Sequence, residues 1–532
     1  MGMIERLGGG GALGQRLLAR LAAPGWPLAC AGLVFVVLIA DLIGLSRHGG
    51  LFAEDDAYYY LVIARHIAQT GVSTFDGQSL SNGYHPLWMV VLVLQDLILG
   101  ESFFITFTIE ALLIGGALAL ILRRAPVVRA DTSIAFTILS LFLLTPLVMR
   151  GMEISLVVFC IALLVEALEA AKTHKHGGVL LGLACAAVVG ARIDAAFFIA
   201  PILLFAPLPR RTRLTALAVM AGLGAVYGLA NLLIFGALTP ISSGIKSLGG
   251  LQINHPLLLQ LSQVLHGAAT GQLYFVTLAG LAGSPVLIWR SRPGTVARTL
   301  AIGATIGGAV YVAKLLFASS WVIWNWYNFP LMFPLIAGFY VGVDLLERWR
   351  LAIGWNRLAE RVAGGLGVVV LSAQAVTGVM GPFRVDVGYA ALNTRAVARF
   401  APILAGQRIA MGDRAGAFAM AYPGPVVQLE GLVNDKAYFA AIKRRDDVTQ
   451  LLCDRGVRFV VDYEVDLPGD YGTHRIEVFR TVLTQARGPR LVVHGRDEIG
   501  RVADTAHLNT QHLGDEADNT LYLWRLRCPA AR

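Results

Sequence analysis

Residues 214–235 read LTALAVMAGLGAVYGLANLLIF, a stretch without a charged side chain that directly follows the basic residues Arg210, Arg211 and Arg213. A helix needs about 20 predominantly apolar residues to cross the hydrocarbon core of a bilayer, and this stretch is long enough. Comparable apolar stretches recur up to about residue 380, whereas residues 381–532 have the mixed composition of a water-soluble domain. The sequence therefore predicts a membrane module over 1–380 and a soluble domain over 381–532.

The overall composition agrees with this division. The chain has 532 residues, of which 56% are hydrophobic and 15% are charged, whereas an average soluble protein has about 25% charged residues. The formal net charge is +9, but the basic residues lie in short turns between apolar segments, as the positive-inside rule describes. No basic patch alternates with aromatic residues, so we exclude nucleic acid as a partner.

The apolar segments predict about 11–12 transmembrane segments and an α-helical polytopic fold. The first segment is too long for the hydrophobic region of a signal peptide, so we interpret it as an uncleaved span. The predicted segments lie near 27–45, 86–99, 103–122, 133–149, 154–171, 178–190, 195–208, 214–235, 269–289, 297–318, 328–346 and 363–380.

The segment 86–99 decides the orientation of the chain. It is short and contains Gln95 and Asp96. If it dips into the membrane without crossing, all five basic turns fall on the same side as the N-terminus, as the positive-inside rule requires. The sequence then predicts a cytoplasmic N-terminus, about eleven crossings and an extracytoplasmic C-terminal domain. The short segments 178–190 and 195–208 are predicted to be a broken pair around residues 192–194.

This predicted topology places five polar stretches together on the outer face of the membrane. Charged groups at membrane depth are costly and usually mark a pathway or a site. A single charge also serves to cap a helix at the interface, but five such turns on one face favour a shared site. The stretches are the first outer loop 46–85, the turns 149–153 and 192–194, and the segments 239–246 and 319–328.

The first outer loop has the richest chemistry, because Glu54, Asp55 and Asp56 are followed by three tyrosines and a surface helix. One carboxylate suffices to cap that helix. Adjacent carboxylates serve either as a general base or as oxygen ligands of a divalent cation. Both interpretations remain open on the residues alone.

Cationic and aromatic residues elsewhere on the outer face complete the predicted site. Lys246, Arg192 and Arg150 are candidates to stabilise a phosphate leaving group, with His85 as a further donor. Trp326 and Tyr327 are candidates to stack on a sugar or to hold a lipid chain. Trp321 and Trp324 fit an interfacial aromatic belt better, since such belts are common in membrane proteins.

The order of five motifs resembles the GT-C superfamily of membrane glycosyltransferases, and in particular bacterial arabinofuranosyltransferases and sugar transferases that modify lipopolysaccharide. The resemblance extends into the C-terminal domain through MGDRAG at 411–416 and LEGLVND at 429–435. One motif departs from the family, which often has Arg-Pro-Asp where this chain has Ile193 between Arg192 and Asp194. The motifs are EDDAYYY at 54–60, NGYHPLW at 82–88, GME at 151–153, ARID at 191–194 and WYN at 326–328.

The resemblance implies transfer of a sugar from a polyprenyl-phosphate donor to an acceptor hydroxyl of a glycan or lipid, at the outer face of a bacterial plasma membrane. It implies an inverting single displacement with Asp55 or Asp56 as the base. It also implies that a divalent cation (Mg, Mn or Ca) serves some members, and Asp56 and Glu153 are its candidate ligands here. The candidate substrate-binding residues are Glu54, Tyr59, His85, Glu153, Arg192, Asp194, Lys246, Trp326 and Tyr327.

The C-terminal residues alternate between strand and helix patterns, which predicts a small α/β domain. Cys453 and Cys528 both lie in this domain, and the sequence leaves their pairing open. Cys30, Cys160 and Cys185 lie in apolar segments and are interpreted as packing residues. Helices are predicted at 389–402, 435–443 and 447–455, and strands at 408–411, 426–429 and 457–461.

Three other functions remain compatible with the sequence. A transporter would also have many spans, although matched repeats with broken helices are more typical of one, and no clear repeat is present. A non-catalytic subunit of a polysaccharide assembly or export machine would not need the acidic pair. A lipid-phosphate transferase of another class would use the same acidic and basic residues.

Overall fold

The structure is a computed structural model that confirms the predicted fold class: a helical multi-pass membrane protein with a small C-terminal α/β region. It describes residues 26–47, 53–124, 151–248, 250–265, 272–319, 321, 323–353, 388–412, 414–444, 446, 448–463, 473–477, 490–494, 498–502 and 521–528. The predicted segments 133–149 and 363–380, the domain boundary at 380 and Arg150 lie outside the described residues.

Within the described ranges, six helices are long and apolar enough to cross a membrane, judged by length and composition. They cover Phe103–Arg124, Ile154–Thr173, Arg210–Phe235, Leu273–Arg290, Val296–Phe317 and Asn325–Leu346. Only 6% of the most apolar part of Arg210–Phe235 is buried, so the other described residues leave most of this apolar helix uncovered. It contains the stretch at 214–235 from which the membrane module is predicted.

The helices of the membrane module are α1 (Trp26–Arg47), α2 (Asp55–Thr70), α3 (Pro86–Leu99), α4 (Phe103–Arg124), α5 (Ile154–Thr173), α6 (Gly177–Ala191), α7 (Ala196–Phe205), α8 (Arg210–Phe235), α9 (Ile241–Lys246), α10 (His255–Leu265), α11 (Gln272–Arg290), α12 (Val296–Phe317) and α13 (Met332–Ile353). Two 3₁₀ helices, Ile193–Ala195 and Asn325–Leu331, interrupt the series. The first of them separates α6 from α7, so the broken pair predicted around residues 192–194 is present.

Helix α3 has both of its ends beside helix α2. At its start, the backbone N–H of His85 donates to the hydroxyl of Tyr60 at 3.0 Å. Just beyond its end, Glu101 pairs with Arg65 at 3.4 Å. Both contacts are compatible with the prediction that segment 86–99 does not cross the membrane, and the orientation of the chain stays a prediction.

The opposite ends of the long helices are joined by ion pairs and hydrogen bonds. Arg124 at the end of α4 forms a two-pronged pair with Glu166 of α5. Lys172 near the end of α5 donates to the carbonyl of Gly294, just before α12, at 3.1 Å. Three of the basic turns used for the topology therefore meet at one end of the bundle, away from α2 and α3.

The C-terminal residues form an α/β domain, as the alternating pattern predicts. The main sheet has the order β2-β1-β3-β7-β6, with β1 parallel to β2 and β3, and β7 antiparallel to β3 and β6. Its elements are α14 (Gly388–Leu404), β1 (Ile409–Met411), α15 (Ala415–Ala421), β2 (Val426–Gln428), α16 (Lys436–Arg444), α17 (Thr449–Asp454), β3 (Phe459–Tyr463), β6 (Glu498–Val502) and β7 (Leu521–Arg525). Strands β4 (Thr473–Glu477) and β5 (Arg490–His494) pair with each other in a second, antiparallel sheet.

Cys453 at the end of α17 and Cys528 beyond β7 form a disulfide, with a Cα–Cα distance of 5.6 Å. This settles the pairing that the sequence leaves open. Cys30, Cys160 and Cys185 are free and buried, in agreement with their interpretation as packing residues. A disulfide in the soluble domain agrees with an oxidising compartment.

The C-terminal α/β domain, which is predicted to be soluble and is called the soluble domain below, is docked on the predicted first outer loop through buried contacts. Arg408, just before β1, pairs with Asp76 of the loop at 3.3 Å, and the two side chains are 7% and 4% exposed. Gly83 lies so close to the domain that a Cβ atom there would be 2.0 Å from the carbonyl oxygen of Leu432. The domain is therefore packed against the loop that carries the acidic motif.

Replacement of Arg408 by alanine should destabilise this docking. The change leaves Asp76 as a buried carboxylate without its cation, and the loss of one partner of a buried ion pair costs about 3 kcal/mol or more. Thermal unfolding in detergent and limited proteolysis at the docked domain would measure the effect. The control is Arg444→Ala, because Arg444 and Asp446 form an exposed pair of the kind that contributes less than about 1 kcal/mol. Equal effects of the two changes would contradict the docking role.

Candidate functional site

The two adjacent aspartates at the start of α2 have different surroundings. The Asp55 carboxylate accepts a hydrogen bond from the backbone N–H of Ala417 in the soluble domain at 3.2 Å. Asp56 exerts its electrostatic effect on Lys246, Glu153 and Tyr60 instead. Asp55 thus contributes to the docking of the soluble domain, and Asp56 belongs to a cluster of charges within the membrane module.

The GME turn brings Glu153 into this cluster. Glu153 precedes α5 and is fully buried. Gly151 in the same turn has a φ of +76°, and a Cβ atom there would lie 2.8 Å from Cβ of Ala57. Only glycine fits both this left-handed conformation and this close approach. The turn therefore lies directly against the start of α2, next to the aspartates.

Glu110 forms a hydrogen bond with the GME turn at residues 151–153. This carboxylate of α4 is fully buried and accepts the backbone N–H of Gly151 at 3.4 Å. The sequence analysis does not single out Glu110, although an acidic residue in the middle of an apolar segment is a signal of function. Glu110 therefore helps to hold the backbone of the turn that carries Glu153.

Arg192 holds two carboxylates of the site together. Its guanidinium pairs with Glu153 through Nη1 and with Asp194 through Nε at 2.9 Å, and its side chain is 3% exposed. The same guanidinium lies over the rings of Tyr327 and Phe329, at 5.3 and 4.6 Å from their centroids. Because its donors are engaged by protein carboxylates, we reinterpret Arg192 as a positioning residue rather than as the group that contacts a phosphate.

His85 lies between the turn and the 3₁₀ helix that follows Arg192. Its Nδ1 accepts the backbone N–H of Ile193 at 3.4 Å, which leaves the proton of the neutral ring on Nε2, 3.6 Å from Glu153. Burial lowers the pKa of His85 to about 3, and the charge of Arg192 lowers it as well. A neutral His85 is therefore a hydrogen-bond donor in this site throughout the physiological pH range.

Lys246 supplies a positive charge opposite Asp56. Burial lowers the pKa of Lys246, but Tyr327 and Asp56 outweigh this effect, and the pKa lies above its ordinary value. The ammonium also lies 5.5 Å from the centroid of the Tyr327 ring. The Tyr327 ring thus lies near both cations, Arg192 and Lys246, and Lys246 remains charged.

Lys314 is a second cation that the sequence analysis does not identify. It lies in the last turn of α12, and its charge acts on His85 and Asp194. The sequence analysis predicts a membrane span over 297–318 and does not consider the lysine within it as a site residue. In the predicted topology this lysine lies at the outer end of its span, which runs against the positive-inside rule, and that signal could have identified it.

The remaining predicted residues lie around the cluster in different ways. Trp326 is buried beside Tyr327, with ring centroids 6.3 Å apart, and stacks on Trp324 at 6.0 Å. Tyr59 packs edge-on against Phe75, with ring centroids 5.3 Å apart, beside the soluble domain. The structure therefore brings Trp326 to the cluster and places Tyr59 at the docking interface.

Glu54 occupies the N-cap position of α2. Its carbonyl accepts the backbone N–H of Ala57 at 2.9 Å. Its side chain is partly exposed, in contrast to the buried carboxylates of Glu153 and Glu110. Among the predicted acidic residues, Asp56, Glu153 and Asp194 are those that the structure gathers around Arg192 and Lys246.

The two predicted metal ligands do not fit a divalent cation site well. Among the described residues, no group of three or more His, Cys, Asp or Glu side chains is arranged to hold a metal ion. Glu153 is engaged by Arg192, and Asp56 acts on Lys246. Two cations already balance these carboxylates, so a divalent ion would face unfavourable charge. A metal at Asp56 and Glu153 stays a prediction, and no step below depends on one.

Comparison with known proteins gives structural likenesses only. No protein-family model and no curated protein sequence matches the chain. The solved structures similar to it include ArnT from Cupriavidus metallidurans bound to undecaprenyl phosphate, at 13% identity and a TM-score of 0.49, covering 86% of this chain and 97% of that one.

Two structures of the arabinofuranosyltransferase AftD from Mycobacteria, one of them a variant, are also similar. Their identities are 14% and 15%, and their TM-scores are 0.43 and 0.44. They cover 83% and 95% of this chain, which spans 37% and 40% of the AftD chains.

The low pKa of His85 predicts a specific dependence of stability on pH. An unfolded histidine has a pKa of about 6.5, so below that pH the unfolded chain binds a proton that the folded site rejects. Stability should therefore fall as the pH drops from 6.5 towards 3, by about 1 kcal/mol at pH 5.5. Thermal unfolding of wild type and His85→Gln at pH 7.5 and 5.5 would measure this. An equal loss in both proteins would contradict a half-buried, neutral His85.

Proposed function

We propose that the chain is a glycosyltransferase that moves a sugar from a polyprenyl-phosphate donor to an acceptor hydroxyl of a glycan or lipid. The proposal places the reaction at the outer face of the plasma membrane, with the N-terminus in the cytoplasm and the soluble domain outside. The observation that carries it is the electrostatic interaction between the half-buried side chains of Asp56 and Lys246, next to the buried ion pair of Glu153 and Arg192. This arrangement puts a base opposite a cation, as displacement of a phosphate requires.

Asp56 is the base in this mechanism. An acceptor hydroxyl approaches the anomeric carbon from the side opposite the phosphate, and Asp56 takes its proton as the new C–O bond forms. The bond between the anomeric carbon and the phosphate oxygen breaks in the same displacement, so the configuration inverts. We assign this role to Asp56 and not to Asp55, because the Asp55 carboxylate accepts the backbone N–H of Ala417 and contributes to the docking of the soluble domain.

Lys246 and Lys314 stabilise the departing polyprenyl phosphate. The carboxylates Asp56, Glu153 and Asp194 and the cations Arg192, Lys246 and Lys314 act on one another electrostatically around the cluster. Arg192 is neutralised within the protein by its two carboxylates. The two lysines are therefore the groups whose charge is available to a phosphate, and charge-assisted contacts of this kind are strong.

His85 and the aromatic residues orient the sugar. The Nε2–H of neutral His85 is a donor beside Glu153, and donors fixed in a buried site stabilise developing charge without reorganisation. Trp326 and Tyr327 provide an apolar wall next to the lysines. Stacking of the sugar on this wall would hold the anomeric carbon between Asp56 and the phosphate.

The two aspartates should therefore differ sharply when each is replaced by asparagine. Loss of a general base typically costs about 10²- to 10⁴-fold in rate, so Asp56→Asn should reduce turnover by at least that factor. Asp55→Asn keeps an oxygen that accepts the N–H of Ala417 and should retain most of the activity. The assay is release of polyprenyl phosphate from a panel of radiolabelled polyprenyl-phosphate sugars by protein in lipid nanodiscs. Equal losses in both variants, or full activity of Asp56→Asn, would contradict the assignment.

Lys314→Met should slow the same reaction while leaving the fold intact. The methionine keeps most of the apolar stem but removes the charge that stabilises the leaving phosphate, and removal of one such contact typically costs about 10²-fold. Arg298→Met, at the opposite end of α12, is the matched control and should leave turnover unchanged. A Lys314→Met variant with wild-type turnover would remove Lys314 from the phosphate site.

A further inference from the structure

Asn82 is a buried polar residue that the mechanism above does not use. It is 1% exposed and lies in the first outer loop, three residues before His85. Its amide nitrogen donates to Asn231 at 3.1 Å and to the carbonyl of Thr239 at 3.4 Å. Its amide oxygen accepts the backbone N–H of Ile241 at 3.0 Å. A single side chain thus satisfies the backbone on both sides of Pro240.

These contacts fix the start of the short helix α9. Pro240 has no N–H and cannot donate a hydrogen bond of its own. Helix α9 covers only Ile241–Lys246, and a helix of this length is not stable by itself in water. Its position therefore depends on what surrounds it, and Asn82 supplies the polar contacts at its first residue.

The soluble domain contacts the other faces of α9. A Cβ atom on Gly244 would lie 2.9 Å from the ring of Phe439 in α16, and one on Gly431 would lie 3.1 Å from the side chain of Ile245. These are apolar contacts, which fix distance but not direction. The hydrogen bonds of Asn82 are directional, and they set the orientation of the chain as it enters the helix that ends at Lys246.

Asn82 also connects the two charged halves of the site. The first outer loop carries Asp56 and His85, and α9 carries Lys246. We propose that Asn82 is a positioning residue that sets Lys246 against Asp56 by fixing the turn before α9. This inference rests on the proposed function, because the distance between Asp56 and Lys246 matters only if Asp56 is the base and Lys246 stabilises the leaving phosphate.

A double-mutant cycle separates positioning from a general structural role. Asn82→Ala should lower kcat about tenfold or more when Lys246 is present, because residues that act through one another couple strongly. In a Lys246→Ala background the same change should cost less than about threefold, since the residue being positioned is gone. KM for the donor should change less than kcat, because a leaving phosphate needs the cation most in the transition state.

Two further variants keep the cycle interpretable. Asn393→Ala removes another fully buried asparagine, which contacts Arg414 in the soluble domain and should combine additively with Lys246→Ala. If Asn82→Ala does not fold, as judged by thermal unfolding and size exclusion, Asn231→Ala removes the acceptor of the Asn82 amide. It should show the same coupling to Lys246 at smaller magnitude.

The outcomes distinguish this inference from the function on which it rests. Wild type without transfer, or Lys246→Ala with full activity, would overturn the proposed phosphate site and the positioning role with it. An impaired Lys246→Ala, together with an additive Asn82→Ala, would overturn the positioning role alone. Coupling between Asn82 and Lys246, with additivity at Asn393, is the result expected if Asn82 positions the lysine.

Discussion

The buried ion network around Arg192 is the constraint on which the site depends. Its guanidinium is 3% exposed, so it requires partners, and Glu153 and Asp194 provide them. Loss of one partner of such a network leaves an uncompensated charge inside the protein. The network ties the GME turn before α5 to the break between α6 and α7, and the rings of Tyr327 and Phe329 close over it. Three separate parts of the chain therefore meet at one guanidinium.

Much of the fold follows from the sequence because the bilayer sets the length of a spanning helix. The free-energy cost of a charge in the bilayer also confines charged residues to its faces. For this reason the motif residues Glu153, Arg192, Asp194 and Lys246 were predicted together as one site. The predicted helices and strands of the soluble domain agree with the structure to within a few residues. The pairing of Cys453 with Cys528 needed the structure, because it depends on how β7 returns beside β3.

The roles within the site were harder to predict. Neighbouring residues on a helix point about 100° apart, so Asp55 and Asp56 face different surroundings, and only tertiary packing shows that Asp55 meets Ala417. Arg192 has the type and the position of a phosphate ligand, but protein carboxylates engage its donors. Lys314 was not predicted as a site residue, because it belongs to an otherwise apolar segment. In each case the residue type is visible in the sequence, and its partner is not.

The most direct test of the account follows the fate of both halves of the donor. Protein in lipid nanodiscs would receive a polyprenyl-phosphate sugar with separate labels on the sugar and the lipid, with and without acceptor. The account predicts that polyprenyl phosphate is released in equal amount to the sugar bound to acceptor, and only when acceptor is present. A donor that is recovered intact under every condition, or one that crosses the bilayer of a sealed vesicle unchanged, would contradict it.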